Sequence, residues 1–313
     1  YSRGERSTSI ISSRGCQYLC NFCTPFKVFT RTPRLRSADN VLAEMRHLKE
    51  EYGVDEIFFE DDQLLAKRDR AIELFDAMAS ELKILFDTPN GISQWLLTED
   101  IIRRMKAAGC YRINLALESG NQWVLDNIII KPVKIDMVPE TVRLIRKYDM
   151  DVGMFIVAGN IAWDTVETFE QLADSFKLAR KINIRPHVSY LTGYPGSQVL
   201  EIAQKKGWLV DNFTWEDLCI HRQQIRSDEW TCEELSEFVE RQQTLCFLNY
   251  VLKNPLKTAV NISTSLKHNG PTYIASRFKD WGFRIFADVL KDENGRQRFV
   301  PKFLMNDANV RTG

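Results

Sequence analysis

Ser13-Arg14-Gly15-Cys16-Gln17-Tyr18-Leu19-Cys20-Asn21-Phe22-Cys23 is the stretch from which the rest of the chain is read. Three cysteines in a C-x3-C-x2-C run can hold three irons of a four-iron cluster, whose metals take thiolate ligands. The fourth iron then stays open, free to chelate a small molecule and pass it an electron. A structural zinc site also gathers cysteines, but it closes a tetrahedron with four ligands. The nearest further Cys or His is His47, inside a predicted helix. Upstream, Thr8-Ser9-Ile10-Ile11-Ser12-Ser13 is rich in β-branched residues and predicts a strand whose exit loop carries the cysteines.

Downstream, helix and strand patterns alternate. Val41, Leu42, Met45, Leu48 and Tyr52 recur at helical spacing, with Ser37 as N-cap and Gly53 as stop. Glu56-Ile57-Phe58-Phe59 reads as a buried strand, followed by a helix on Ile72, Phe75, Met78, Ala79 and Leu82. A strand at Ile84-Leu85-Phe86 and a helix from Thr98 to Ala108 come next, then strands at 111–117, 152–158 and 187–191 with helices between them. Six β-then-α units imply parallel strands joined by right-handed crossovers, as a doubly wound sheet or a partial barrel. After Gly207 the pattern changes, and Thr231-Cys232-Glu233-Glu234 reads as a capping box opening a helix to about Val251. Turns are expected at Gly270-Pro271 and Asn294-Gly295.

Bulk properties narrow the class. A chain of 313 residues suits a large α/β domain with an extension and buries a core that needs no disulfides. Its seven cysteines are an odd number, purposeful in spacing only at the triplet, which suggests a reducing, cytoplasmic setting. Lys plus Arg and Asp plus Glu are 42 each, which argues against a generic nucleic-acid binder. No run is long and apolar enough for a membrane span, and no signal peptide is evident. A local cluster of Lys27, Arg31, Arg34 and Arg36 either meets an anionic ligand or is solvated surface. Cys110, Cys219, Cys232 and Cys246 read as structural thiols. The chain opens at Tyr1, which leaves room for a domain upstream.

The cysteine spacing, with an aromatic Phe22 before the last Cys, resembles the signature of the radical S-adenosylmethionine (radical SAM) superfamily. Leu117-Glu118-Ser119-Gly120 is similar to that family's "GIESG" strand end, with Ala116 at the first Gly. Gly159 keeps one Gly of a turn whose Pro-Gly pair is lost, in Gly159-Asn160-Ile161-Ala162-Trp163-Asp164-Thr165. Tyr194-Pro195-Gly196 and Pro89-Asn90-Gly91 resemble turns of the clade associated with cobalamin.

The resemblance implies a partial (β/α)6 TIM-like barrel over 1–207 and a mainly helical extension over 208–313. It implies that Cys16, Cys20 and Cys23 hold a [4Fe-4S] cluster, with Phe22, Glu60, Asp61, Asp62, Glu118, Ser119 and Gly159 near S-adenosylmethionine. Each has a plainer alternative: Glu60-Asp61-Asp62 could cap the next helix, and Glu118 could pair with Arg112 or another barrel residue. The implied chemistry is reductive cleavage of S-adenosylmethionine to a 5′-deoxyadenosyl radical that attacks a small-molecule or peptide substrate. An electron donor such as a flavodoxin or ferredoxin is implied as partner. Three readings stay open: the catalytic barrel of a cobalamin-dependent methyltransferase with an upstream cobalamin-binding domain, a cobalamin-independent radical SAM enzyme for dehydrogenation, rearrangement or thiolation, and a non-enzymatic metal-binding scaffold. No catalytic residue is singled out.

Overall fold

The computed structural model describes residues 3–216, 218–256, 258–260 and 263. Strand β1 (Ser7–Ile10) leads into a loop that starts with β2 (Ser13–Arg14), carries the cysteines and a short helix α1 (Pro25–Val28), and returns as β3 (Arg34–Leu35), antiparallel to β2. Helix α2 (Ala38–Tyr52) follows, buried through Ala38, Val41, Leu42 and Met45. Its ends are those expected: Asn40 N donates to Ser37 Oγ, and Gly53 closes the helix at φ 66°, a left-handed position natural to glycine.

The alternation then repeats. Strand β4 (Glu56–Phe59), helix α3 (Arg68–Ala77), strand β5 (Leu85–Asp87) and helix α4 (Glu99–Ala107) lead to the long strand β6 (Arg112–Glu118). A short turn of helix α5 (Gln122–Val124) and helix α6 (Val138–Lys147) come before β7 (Asp151–Ala158). Helix α7 (Phe169–Lys181), opened by a full capping box between Thr168 and Gln171, precedes β8 (His187–Tyr190) and α8 (Gln198–Lys206).

All barrel pairings are parallel. One ladder runs β1-β4-β5 and another β6-β7-β8. Parallel bridges Phe86 to Cys110 and Ile92 to Leu115 join them, giving the order β1-β4-β5-β6-β7-β8. Among the described residues no ladder joins β8 back to β1, so the six-stranded barrel is open, as expected for the partial type. Its core stacks Ile10, Ile57, Phe59, Phe86, Ile113, Leu115, Met154 and Ile156 from the strands, with Phe59 edge-on to Phe86 at 5.5 Å. Long near-continuous apolar strands are what a parallel sheet covered by helices requires.

Past Gly207, the capping box at Thr231 and Glu234 forms, with Thr231 N donating to Glu234 Oε2 at 2.8 Å and Glu234 N to Thr231 Oγ1 at 3.2 Å. It opens α9 (Cys232–Lys253). Contacts divide the chain into one unit over Tyr1–Cys246 and a second over Phe247–Gly313. The turns expected at Gly270-Pro271 and Asn294-Gly295 lie outside the described residues.

Candidate active site at the barrel mouth

Segments that follow the C-terminal ends of all five other barrel strands fasten the cysteine loop. After β4, Asp61 accepts from Ser12 N at 3.0 Å, from Ser12 Oγ at 2.7 Å and from Ser13 Oγ, and Asp62 accepts from Gly15 N at 2.7 Å. After β5, Trp95 Nε1 donates to Tyr18 Oη at 2.7 Å. After β6, Ile129 O accepts from Asn21 N at 3.1 Å. After β7, Ile161 O accepts from Asn21 Nδ2 at 2.8 Å, and after β8, Val199 N donates to Asn21 O at 3.3 Å. The cysteines therefore sit over the C-terminal mouth, the face where barrel enzymes carry their chemistry.

Strand β6 delivers a charge to the same place. Its register with β7 shifts between Ala116 and Glu118, a bulge that re-aims the strand end. Glu118 then takes φ 69°, a conformation costly for a non-glycine residue. Ile130, just before Lys131, is also left-handed at φ 60°. These two backbone departures bring Lys131 Nζ within 2.7 Å of Glu118 Oε1, with side chains 9% and 11% exposed. A buried ion pair contributes little net stability because both charges lose their hydration. Backbone strain held around such a pair is characteristic of functional sites.

Lys131 also acts on the thiols. Burial raises Cys16, Cys20 to about 11 and Cys23 to about 12, and the positive charge of Lys131 opposes the rise at all three. Cys16 and Cys20 in turn raise Cys23, so the three sulfurs lie within electrostatic reach of one another. All three are free thiols. Three soft donors and a buried cation beside them fit an anionic, thiolate-held iron–sulfur cluster. Cys16, Cys20 and Cys23 would hold it. Sequence reasoning missed Lys131; its only signal is a lone lysine closing the apolar run Ile128-Ile129-Ile130.

The other expected residues divide. Asp61, Asp62 and Glu118 come together at the cysteine loop as described, whereas Glu60 meets Ser9 Oγ at 3.4 Å on the strand's other side. Phe22 packs against the core beside Cys23. Ser119 is fully buried and its Oγ accepts from Asn121 N at 3.2 Å. The alternative partner for Glu118, Arg112, pairs instead with Asp87.

Gly159, at φ 83°, lies under the C-terminal segment: a Cβ there would sit 2.6 Å from Leu235 Cδ2 and 3.0 Å from Trp230. Its N–H and that of Asn160 each donate to Glu167 Oε2 at 3.2 Å, and Asn160 Nδ2 does so at 2.9 Å. Burial pushes the Glu167 carboxyl up to about 7 against these three donors. The Tyr194-Pro195-Gly196 turn leads into Ser197, whose Oγ accepts from Leu200 N as the cap of α8.

Comparison with known proteins bears on the family and the fold. The chain is 30% identical over 213 residues to cytidylyl-2-hydroxyethylphosphonate methyltransferase of Streptomyces wedmorensis, covering 67% of this chain and 40% of that protein. It is 24% identical over 238 residues to anaerobic magnesium-protoporphyrin IX monomethyl ester cyclase of Rubrivivax gelatinosus, covering 76% and 41%. The chain thus spans less than half the length of either relative. Among solved structures, the radical S-adenosylmethionine methyltransferase TsrM of Kitasatospora setae superposes with a TM-score of 0.57 at 17% identity, over 64% of this chain and 37% of TsrM, a likeness of fold. The model of the radical SAM superfamily matches residues 10–172, which begin in β1 and take in the cysteine loop, Glu118 and Lys131. A match over more than half of the chain, taking in the loop that the barrel mouth holds in place, shows that this chain belongs to the radical SAM superfamily.

Proposed function

We propose that this chain is the catalytic barrel of a cobalamin-dependent radical SAM methyltransferase. The observation that carries the site assignment is the cysteine loop fastened across the barrel mouth beside the buried Lys131–Glu118 pair. When bound, the cluster supplies the electron that cleaves S-adenosylmethionine, and the protein supplies placement and electrostatics.

Each residue then has a task. Cys16, Cys20 and Cys23 are the cluster ligands. Asp61 and Asp62 set the loop's path by taking hydrogen bonds from Ser12, Ser13 and Gly15. Glu118 and Lys131 place one charge of each sign at the mouth, suited to the ammonium and carboxylate of the methionine moiety. Ser119, Phe22 and Gly159 shape the wall around them. Glu60 stands further out, beside Ser9. Residues 1–207 are the barrel proper in this reading. Residues 208–313 are an extension, in which Trp230 and Leu235 cover the turn at Gly159 and help exclude water from a radical.

Cobalamin and methylation rest on the names of relatives and neighbours: the Streptomyces relative is a methyltransferase, and the TsrM structure holds cobalamin and a [4Fe-4S] cluster. A separate cobalamin-binding α/β domain would be the partner, and a small molecule or peptide the substrate. The relative named as a cyclase supports a second outcome, oxidation without methyl transfer. Anaerobic assay of the cluster-loaded chain with S-adenosylmethionine, reductant, cobalamin and that cobalamin-binding domain separates the two. S-adenosylhomocysteine formed only when cobalamin is present supports the methyltransferase, and 5′-deoxyadenosine formed equally with and without cobalamin contradicts it.

A further inference from the structure

Residues 12–36 carry all three cysteines on one loop, and its two ends meet at a neck. The ladder that closes this neck is short: Ser13 lies opposite Leu35 and Arg14 opposite Arg34. An isolated pair of strands is marginal in water, and like charges facing each other across the pair weaken it further. Past the ladder, Arg36 N donates to Ser12 O at 3.0 Å. Cys16 comes four residues after Ser12, so its place depends on what else holds the neck.

Arg70, in the first turn of α3, reaches both ends of the loop. Its Nη1 donates to Ser12 Oγ at 3.0 Å and its Nη2 to Ser12 O at 3.1 Å, while its Nε donates to Arg36 O at 3.0 Å. Ser12 Oγ in turn donates to Asp61 Oδ1 at 2.7 Å, so one hydroxyl stands between a buried cation and a buried carboxylate. Ser12 is fully buried, and Arg70 and Asp61 nearly so. Nothing local to α3 asks for an arginine here. A cation in the first turn of a helix meets the positive end of its dipole, and burying a guanidinium is costly unless acceptors meet it. Three acceptors do, and all three belong to the neck. The planar fork of arginine serves several oxygens at fixed angles, a set that the single nitrogen of lysine does not reproduce.

We propose that Arg70 is a positioning residue that locks the neck of the cysteine loop, so that Cys16 stands in place beside Cys20 and Cys23 before a cluster is bound. The proposal rests on the cluster reading above. Arg70 acts on the thiols through the loop backbone, and it shares Ser12 with Asp61, which grips the same residue from the end of β4. Outer partners of this kind set the geometry of metal ligands and the firmness with which the metal is held.

The test compares the wild type with Arg70→Lys, with Ser12→Ala, and with Leu74→Ala as a control for stability alone. Leu74 is buried on the same helix, and its truncation opens a cavity in the core. Hydrogen–deuterium exchange on the metal-free chain reads the opening of residues 12–36. On the anaerobically reconstituted chain, the rate of iron loss to a chelator reads how firmly the cluster is held. Arg70→Lys and Ser12→Ala should each speed neck exchange and iron loss by about tenfold or more, as loss of a charge-assisted hydrogen bond implies. Combined, they should do little more than either alone, because both break the same link. Ser12→Ala carries the test should Arg70→Lys fail to fold. Leu74→Ala should lower the urea midpoint yet leave both rates within about twofold of wild type, since local opening and global unfolding are separate events. Unchanged exchange and iron loss in the loop variants would overturn the proposal. So would an equal change in Leu74→Ala, which would make Arg70 a contributor to stability alone. A wild type that takes up no iron overturns the cluster reading instead, and is distinguishable because neck exchange is read on the metal-free chain.

Discussion

Glu118 and Lys131 show what a single residue can be asked to do at this site. Each is buried, each stands next to or on a left-handed backbone position, and each satisfies the other at 2.7 Å. Replacing Lys131 with Met leaves a buried carboxylate alone, and is expected to cost about 3–5 kcal/mol in urea unfolding. The double variant Lys131→Met/Glu118→Gln should recover most of that loss; additive losses would mean that the two do not act as a pair. Glu167 makes a prediction of opposite character. Burial raises its carboxyl from 4.5 to about 7, so the folded state binds a proton more tightly than the unfolded one. Its contribution is complete below about pH 4.5 and declines as pH rises to about 7, by roughly 3 kcal/mol in all. Glu167→Gln should therefore be no more stable than wild type near pH 5 but gain on it near pH 8, as read by denaturant midpoints. A difference independent of pH would contradict the buried, proton-holding carboxyl. Glu118 was legible from the sequence because it ends a strand in a recognisable motif. Lys131 and Glu167 were not, because their roles come from burial and from partners many residues away, which spacing does not encode.

Among elements, those with local signals were the legible ones. Ser37 and Gly53 bound α2, and Thr231 with Glu234 opens α9, because a cap is a hydrogen bond within four residues of itself. The β2–β3 pair was not legible: two-residue strands have no periodicity to detect, and Arg34 read as one of a charge cluster with Lys27, Arg31 and Arg36 rather than as the partner of Arg14. The bulge in β6 escaped for a related reason, since register is a property of two strands. Gly159 links element to site, because its left-handed turn at the end of β7 receives Trp230 and Leu235. A methyl group there faces both a strained φ and a 2.6 Å contact. Gly159→Ala should lower stability by about 1–3 kcal/mol and unseat Trp230, whose fluorescence reports its burial. An unshifted emission spectrum and an unchanged midpoint would show that the segment does not rest on this turn.

At the scale of the whole molecule, six parallel strands in the order β1-β4-β5-β6-β7-β8 put every strand's exit loop at one mouth, and one cysteine loop ties those loops together. The open barrel followed from the alternation of elements and the family resemblance, whereas the fastening of the loop by Asn21, Tyr18, Asp61 and Asp62 depended on contacts across the fold. The described residues contain no helix long and apolar enough to cross a membrane. The central claim is that Cys16, Cys20 and Cys23 hold a cluster with one iron left for S-adenosylmethionine. Its most direct test is iron and acid-labile sulfide analysis of the anaerobically reconstituted chain and its Cys20→Ala variant, with electron paramagnetic resonance of the reduced protein before and after S-adenosylmethionine is added. The account predicts about four irons and four sulfides per chain, lost in the variant, and a signal in the wild type that changes when S-adenosylmethionine binds. One zinc per chain without sulfide, or a cluster signal indifferent to S-adenosylmethionine, would contradict it.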